Sequence, residues 1–296
     1  MRTGYLYLLL LIFLATGCTS RTRQPDKEQL YVSILPLRSI VGQIVQDDFT
    51  IDVLVPSGAS PESFEPTPRQ YVALNRSKLI FNVGIIDFEQ NLLRDFPDRE
   101  KLVNLSQGVR LLEGSCSHVH TADEPAKEKA EHTRTHGIDP HIWTSPRALK
   151  QMAANAYEAL HASFPDSMHY TENYRKLLVR LDSLDSACAE ALHRASVGTI
   201  VIYHPALTYY AADYGLEQLA IEHDGKEPSA RHLARLIEEA RTKGVRRVFY
   251  QAQYPVSTVK VIAEDIGAES VRIDPLREDV IENIGEITRQ LTAGDE

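Results

Sequence analysis

Four side chains that can ligate a metal ion lie in predicted loops or directly after predicted strands, and a proline stands beside each. They are Glu62, His141, His204 and Asp274, next to Pro61, Pro140, Pro205 and Pro275. Taken singly, each has a plainer interpretation, such as a turn or helix cap for Asp274 or a solvated loop carboxylate for Glu62. Together, two imidazoles and two carboxylates suit divalent zinc, manganese or iron. Because proline fixes φ and removes a backbone donor, the pattern predicts stiff loops and a preformed metal site.

The elements that would position these residues alternate between strands and helices. The strand candidates are YVSILP, IDVLVP, LIFNVG, GTIVIYH, QLAIE, RRVFYQ and SVRIDP. Helical patterns fall near residues 38–47, 68–76, 206–214, 229–243, 256–267 and 279–293. This alternation predicts an α/β fold with two doubly wound lobes, each a mostly parallel sheet covered by helices. Ligands of such sheets bind outside the carboxyl ends of the strands, where Glu62, His204 and Asp274 are expected.

A nearly unbroken helical stretch separates the two lobes. It runs from Ser145 to about Ala195 and is interrupted by SFPDS, whose proline ends one helix and precedes another. The second helix would be about 45 Å long at 1.5 Å per residue. Its apolar residues recur three and four apart and include Cys188, which predicts a stripe that faces the core. We expect an N-terminal lobe over 29–165, a rigid linker helix over 166–195 and a C-terminal lobe over 196–296, with the metal site between the lobes.

The first residues, MRTGYLYLLLLIFLATGC, combine an arginine, a short apolar run and small residues that end at Cys18. The run is too short to span a bilayer comfortably, so it predicts a signal peptide over 1–18. LATGC resembles the bacterial lipoprotein box, which implies that Cys18 becomes the lipidated N-terminus. Residues 19–28 would then be a polar tether. The expected location is outside the cytoplasm, lipid-anchored to a bacterial membrane, either in the periplasm or at the cell surface.

The composition restricts the classes of partner and activity. The net charge is −9 and the chain has no basic stripe, so a nucleic-acid partner is not expected. The sequence contains no His-Glu-x-x-His segment and no nucleophile elbow, and we expect no enzymatic activity. The protein is expected to be a monomer. Cys116 and Cys188 could pair in an oxidising compartment, although their spacing does not establish a disulfide.

Several longer motifs follow one another along residues 30–294. In order they are PSGASPESFEPTP, DPHIW, YHPALTYYAADYGL, GKEPSA, VFYQAQYP and RIDPL. This series resembles the substrate-binding lipoproteins of bacterial zinc and manganese ABC transporters, a cluster of periplasmic solute-binding proteins. The resemblance implies that His141 and His204 are metal ligands and that Asp274 supplies a carboxylate from the C-terminal lobe. It also implies an ABC transporter permease as the partner.

Glu62 departs from the pattern of that family, which usually has a histidine at this position. Glu62 could ligate the ion directly, or it could be a bystander while His136 or water completes the shell, or the site could be degraded. We favour direct ligation, because a carboxylate at the same position is itself a competent ligand. Two carboxylates would neutralise a divalent ion and make the site relatively better suited to manganese or iron, although zinc still has the higher intrinsic affinity.

The polar segment 113–136 concentrates histidine just before DPHIW. Its four histidines are His118, His120, His132 and His136. They lie among charged residues without apolar periodicity, which predicts a mobile surface loop. Clustered imidazoles can form weak zinc sites, so these four are candidates for an auxiliary metal loop; the alternative is a solvated loop with incidental histidines. Zinc-type members of the family often carry such a loop, and this favours zinc.

The sequence therefore predicts a solute-binding lipoprotein that captures one divalent ion as its transported ligand and delivers it to a permease. Zn²⁺ is favoured, with Mn²⁺ or Fe²⁺ as alternatives. Glu62 and His141 would come from the N-terminal lobe, and His204 and Asp274 from the C-terminal lobe. A metal-dependent hydrolase, which would need an open coordination position and a general base, and a surface adhesin are the rival functions. Trp143 and the tyrosines of 203–214 are expected to wall the site.

Overall fold

The computed structural model describes residues 27–114, 137–222, 226–254 and 256–294. Several predictions fall outside these ranges: the signal peptide over 1–18 with Cys18, the tether up to residue 26, Cys116, and the loop histidines His118, His120, His132 and His136. Within the described ranges, no helix combines the length and the apolar character needed to cross a membrane.

The N-terminal lobe is built on a parallel four-stranded sheet in the order β2-β1-β3-β4. Its strands are β1 (Gln29–Val32), β2 (Thr50–Val53), β3 (Ile80–Asn82) and β4 (Leu102–Asn104). Its helices are α1 (Leu35–Val45), α2 (Pro68–Arg76), α3 (Asp87–Leu93) and α4 (Pro146–Ser163). In the register of the sheet, Leu30 of β1 lies opposite Ile51 of β2, and Tyr31 lies opposite Ile80 of β3.

The C-terminal lobe repeats this arrangement, with a parallel sheet in the order β6-β5-β7-β8. Its strands are β5 (Thr199–Ile202), β6 (Glu217–Ala220), β7 (Arg247–Gln251) and β8 (Glu269–Ile273). Its helices are α6 (Thr208–Tyr214), α7 (Ala230–Thr242), α8 (Val256–Ile266) and α9 (Val280–Thr292). In both sheets, the strand that comes first in the chain lies second from one edge. The predicted site residues lie beyond the carboxyl ends of these strands.

The long helix α5 (His169–Arg194) lies between the two lobes and confirms the predicted architecture. Its 26 residues span about 39 Å at 1.5 Å per residue. Its buried face includes Tyr170, Leu177, Leu181 and Cys188, as the apolar stripe predicted. This face packs against α1 and α4 on one side and α9 on the other. One apolar core consequently continues from the first lobe through α5 into the second, which holds the lobes together.

Local signals in the sequence set several of the helix starts. Thr67 and Gln70 form a reciprocal capping box at the start of α2, and Ser145 caps α4 by accepting the Ala148 N–H. The sequence analysis did not predict α3 or β4. β4 has only three residues, too few for an alternating pattern, and its pairing with β3 supplies what its local sequence lacks.

Candidate metal centre

Three of the four predicted ligands converge on one point between the lobes. The Nε2 atoms of His141 and His204 are 3.2 Å apart, and Glu62 Oε1 lies 3.4 Å from each of them. In the described part of the chain, these three side chains could share a metal ion, since their ligand atoms all lie within 4.8 Å of one another. A tetrahedral shell with zinc–ligand bonds of 2.0–2.1 Å separates neighbouring ligand atoms by roughly 3.3–3.4 Å. The three observed distances therefore match one face of such a shell.

Three different elements deliver these side chains. Glu62 lies in a short 3₁₀ turn, Pro61–Ser63, after β2. His204 follows β5 by two residues, and His141 precedes a second 3₁₀ turn, Ile142–Thr144, that leads into α4. His141 and His204 are 2% and 5% exposed, whereas the Glu62 side chain is 32% exposed. Of the three side chains, that of Glu62 is therefore the one most open to solvent.

His141 is oriented by a carboxylate two residues earlier in the chain. Asp139 Oδ1 accepts the backbone N–H of His141 at 2.8 Å and lies 2.9 Å from its Nδ1. The second oxygen of Asp139 accepts the hydroxyl of Thr208 at 2.6 Å, and the backbone carbonyl of Asp139 accepts the Tyr209 hydroxyl at 2.8 Å. Thr208 and Tyr209 belong to α6, so the segment that carries His141 is fixed to the C-terminal lobe.

His204 is oriented within its own lobe. Glu222 Oε1 lies 2.7 Å from Nδ1 of the imidazole. The side chain of Gln251, the last residue of β7, donates to the His204 carbonyl at 2.8 Å. The ring of Tyr254 stacks on the imidazole with centroids 5.1 Å apart and 15° between the planes. Both histidines thus point Nε2 at the centre and have a carboxylate at Nδ1, the arrangement that fixes metal-binding imidazoles.

The ionisable side chains of the site shift one another's pKa values. Burial by itself would lower the pKa of His141, but Asp139 and Glu62 raise it to about 10. Burial likewise opposes protonation of His204, yet its contacts with Glu222 and Glu62 raise its pKa. Burial would raise the pKa of Glu62, whereas its bonds to the two imidazoles hold it well below its usual range. The surrounding carboxylates therefore favour the protonated form of both imidazoles in the absence of an ion.

The cavity between these groups is small and has aromatic walls. Its volume is about 20 Å³, roughly the space of one water molecule. Trp143 lies in its wall, as predicted, and donates its indole N–H to the Pro275 carbonyl at 2.9 Å. The tyrosine in the wall is Tyr254, outside the predicted 203–214 segment, and Tyr209 instead supports Asp139. The cavity fits a single ion better than an organic substrate.

Asp274, the fourth predicted ligand, does not belong to the group of three. It follows β8 and its side chain is exposed. One of its oxygens accepts the Leu276 N–H at 3.0 Å, and its carbonyl accepts the Asn283 amide at 2.8 Å. Its neighbours Pro275 and Leu276 nevertheless line the cavity, so Asp274 lies at the edge of the site.

The stem of the histidine-containing loop is anchored directly beside the site. Glu113 and Ile138 form an antiparallel bridge, and the Gly114 N–H donates to the Gly137 carbonyl at 2.7 Å. A Cβ atom on Gly114 would lie only 2.9 Å from Cβ of Asp139, so glycine is required for this close approach. Gly114 and Gly137, the described residues on either side of 115–136, therefore lie close to the segment with the carboxylate that orients His141.

Sequence reasoning missed the residues that support the ligands. Asp139 stood in the quoted DPHIW motif and Glu222 ended a predicted strand, QLAIE, but neither was selected as part of the site. A carboxylate two residues before a candidate ligand was a usable local signal for Asp139. Glu222 and His204 are 18 residues apart, and only the pairing of β5 with β6 brings them together.

Comparisons with known proteins agree with this fold and site. Residues 30–292 match the family described as zinc-uptake complex component A periplasmic. The chain is 27% identical over 263 residues to the high-affinity zinc uptake system protein ZnuA of Bacillus subtilis, which covers 85% of this chain and 79% of that protein. It is 24% identical over 264 residues to the zinc-binding lipoprotein AdcA of Streptococcus pneumoniae; this covers 88% of the chain but only about half of AdcA, 52%.

Solved structures show the same architecture. A crystal structure of ZnuA superposes with a TM-score of 0.79 at 28% identity, covering 92% of this chain and all of that one. A ZnuA deletion mutant with zinc bound gives a TM-score of 0.78 at 29% identity, covering 92% of this chain and 99% of that one. Because the family match spans nearly all of the described residues, the chain belongs to the family of periplasmic A components of zinc-uptake complexes.

Proposed function

We propose that this protein captures one zinc ion outside the cytoplasm and delivers it to the permease of an ABC transporter. The observation that carries the proposal is the spacing of 3.2–3.4 Å among the three donor atoms of Glu62, His141 and His204, which suits one tetrahedral ion. The similar proteins from Bacillus subtilis and Streptococcus pneumoniae are a zinc uptake protein and a zinc-binding lipoprotein. Their names support zinc as the ligand.

The proposed ligand set is Glu62, His141 and His204, with Asp274 as the fourth member. Asp274 can reach the ion only if its side chain leaves the Leu276 N–H. Direct ligation by Glu62 is supported by its contacts with both imidazoles at 3.4 Å. The four loop histidines His118, His120, His132 and His136 stay proposed as an auxiliary site.

We propose a carrier and not a metallohydrolase, because the small cavity holds an ion but leaves little room for a substrate. The proposed anchor is a lipid on Cys18, with the mature chain acting as a monomer. The two lobes, divided at the predicted boundaries 29–165 and 196–296, would enclose the ion on either side of α5.

A competition titration of zinc against manganese tests the proposal, using the fragment that starts at Thr19. Metal content after purification is not sufficient, since zinc's intrinsic advantage fills many sites of this kind. We expect tight binding of one zinc ion and manganese binding too weak to hold at micromolar concentrations. His204→Ala is the control and should lose the site. Tight binding of manganese on its own would make this a manganese or iron receptor, and equal zinc binding by the control would place the site elsewhere.

A further inference from the structure

Glu222 is a buried carboxylate directly behind the metal centre. It follows β6, the edge strand of the second sheet, by two residues, and its backbone N–H donates to the Tyr203 carbonyl at 3.0 Å. This bond continues the β5–β6 pairing to the residue beside His204. Glu222 is only 5% exposed, and its Oε1 lies 2.7 Å from His204 Nδ1. The sheet therefore carries this carboxylate to the side of the imidazole that faces away from the ion.

The contact decides which nitrogen of His204 is free to bind metal. An ionised carboxylate only accepts hydrogen bonds, so Nδ1 must carry the proton in this contact. In the neutral ring, Nε2 then has the lone pair, and Nε2 is the atom that faces Glu62 and His141. The opposite tautomer would place the lone pair of Nδ1 against the carboxylate and present an N–H to the ion.

Apart from the contacts of Nε2 within the centre, the remaining contacts of His204 involve its backbone and the face of its ring. Gln251 bonds to the backbone carbonyl, and Tyr254 covers the face of the ring. Neither contact distinguishes Nδ1 from Nε2. Within the described part of the chain, Nδ1 of His204 contacts Glu222, just as Nδ1 of His141 contacts Asp139.

Glu222 also supplies a buried carboxyl group to the C-terminal side of the site. The carboxylate predicted for that lobe, Asp274, is exposed and bonded to the Leu276 N–H. A buried carboxylate beside an imidazole raises the basicity of the ring and strengthens its bond to a metal. The charge that acts on His204 from within its own lobe therefore comes from Glu222.

We propose that Glu222 is a positioning residue that fixes the Nδ1–H tautomer of His204 and thereby sets the zinc affinity of the centre. This inference rests on the proposed function, because zinc is the ion whose affinity it describes. The alternative is that Glu222 only stabilises the end of β6 and leaves the imidazole unaffected.

The test compares Glu222→Ala, Glu222→Gln and Glu222→Asp with Glu89→Gln in the fragment that starts at Thr19. Glu89 is a matched control, because it is a 1% exposed glutamate whose oxygens accept the Val83 and Gly84 N–H groups at 2.9 and 2.7 Å and no imidazole. Zinc affinity is measured by competition with a chelator. Long-range ¹H–¹⁵N spectra report which nitrogen of His204 carries the proton, both with and without zinc.

We expect Glu222→Ala to weaken zinc binding by about 10–100-fold and to remove the hydrogen-bonded Nδ1–H signal of His204. Glu222→Gln should fall between Glu222→Ala and the unmodified protein, since its amide oxygen can still accept the proton but carries no charge. Glu222→Asp should recover part of the affinity, and Glu89→Gln should bind zinc like the unmodified protein. If Glu222→Ala does not fold, Glu222→Gln decides the question with the same two measurements.

Two results would overturn the proposal. One is zinc affinity in the Glu222 variants equal to that of Glu89→Gln. The other is an unchanged His204 Nδ1–H signal in the metal-free Glu222→Ala variant, recorded at a pH high enough for the imidazole to be neutral. The second measurement needs no zinc, so it judges the role of Glu222 even if the unmodified protein fails to bind zinc, which would instead contradict the proposed function.

Discussion

The two histidines and the glutamate of the metal centre are held in contrasting ways. Each imidazole is buried and has a carboxylate on the nitrogen that faces away from the centre. Glu62 lies in a turn, has a 32% exposed side chain, and bonds through its second oxygen to Ser60 of the same turn. This difference indicates that the imidazole pair is held in place by the fold, while Glu62, the proposed third ligand, has more freedom to adjust to an ion.

The lobes also share the centre unequally. By its position in the chain, His141 belongs with the N-terminal lobe, yet Asp139 beside it is bonded to Thr208 and Tyr209 of α6. The indole of Trp143 reaches the C-terminal lobe as well. In the described part of the chain, no hydrogen bond joins the turn with Glu62 to α6, although Glu62 itself contacts His204. Access to the centre is therefore expected to depend more on this turn than on separation of the histidines.

Removal of either imidazole should have the largest effect. Structural zinc sites are worth roughly 10–16 kcal/mol, and one ligand of four carries about a quarter of that. We expect His141→Ala and His204→Ala each to weaken zinc binding by roughly 10²–10³-fold. Chelator competition measures both values. If one histidine variant bound zinc almost normally, the two imidazoles would not form the fixed pair described above.

The pH should have the next largest effect. Metal ligands must be deprotonated, and the carboxylates raise the pKa of His141 to about 10 and raise that of His204 as well. Zinc must therefore displace protons at neutral pH, so affinity falls as pH falls. With one to two protons released per ion, the change is about 10–100-fold per pH unit. Calorimetry in buffers of different ionisation enthalpy counts these protons, and a count near zero would show that the imidazoles are already neutral.

Replacement of Glu62 should weaken binding less than loss of an imidazole. Water can take the place of an exposed ligand, and we expect Glu62→Ala to lower zinc affinity by roughly 10–50-fold. Glu62→His supplies the ligand usual in the family and should keep zinc affinity while it weakens manganese binding, because a hard oxygen is lost. Unchanged zinc affinity in Glu62→Ala would rule out direct ligation.

The sequence predicted the two-lobed α/β fold and brought three candidate ligands to one place, because both follow from local patterns. Strand-end placement put Glu62 and His204 at the edges where parallel sheets bind ligands. The supporting carboxylates were harder to find. Glu222 becomes a partner of His204 only through the pairing of two strands, and no periodicity records that contact. The sequence left Asp274 open between a turn cap and a ligand, because an aspartate in a turn can accept a backbone N–H two residues on, here that of Leu276, instead of pointing at the site.

Replacement of Asp274 should have the smallest effect on zinc binding among these variants. Its side chain must give up the Leu276 N–H before it can bind the ion, and such a bond is worth about 1 kcal/mol, close to a fivefold change in affinity. We therefore expect Asp274→Ala to weaken zinc binding by only a few-fold, less than Glu62→Ala, and Asp274→Asn to behave similarly. Loss of affinity as large as that of His204→Ala would make Asp274 a full ligand and require its turn to reorganise when zinc binds. No change at all would leave the fourth position to water, because the three converging groups then hold the ion without a carboxylate from β8.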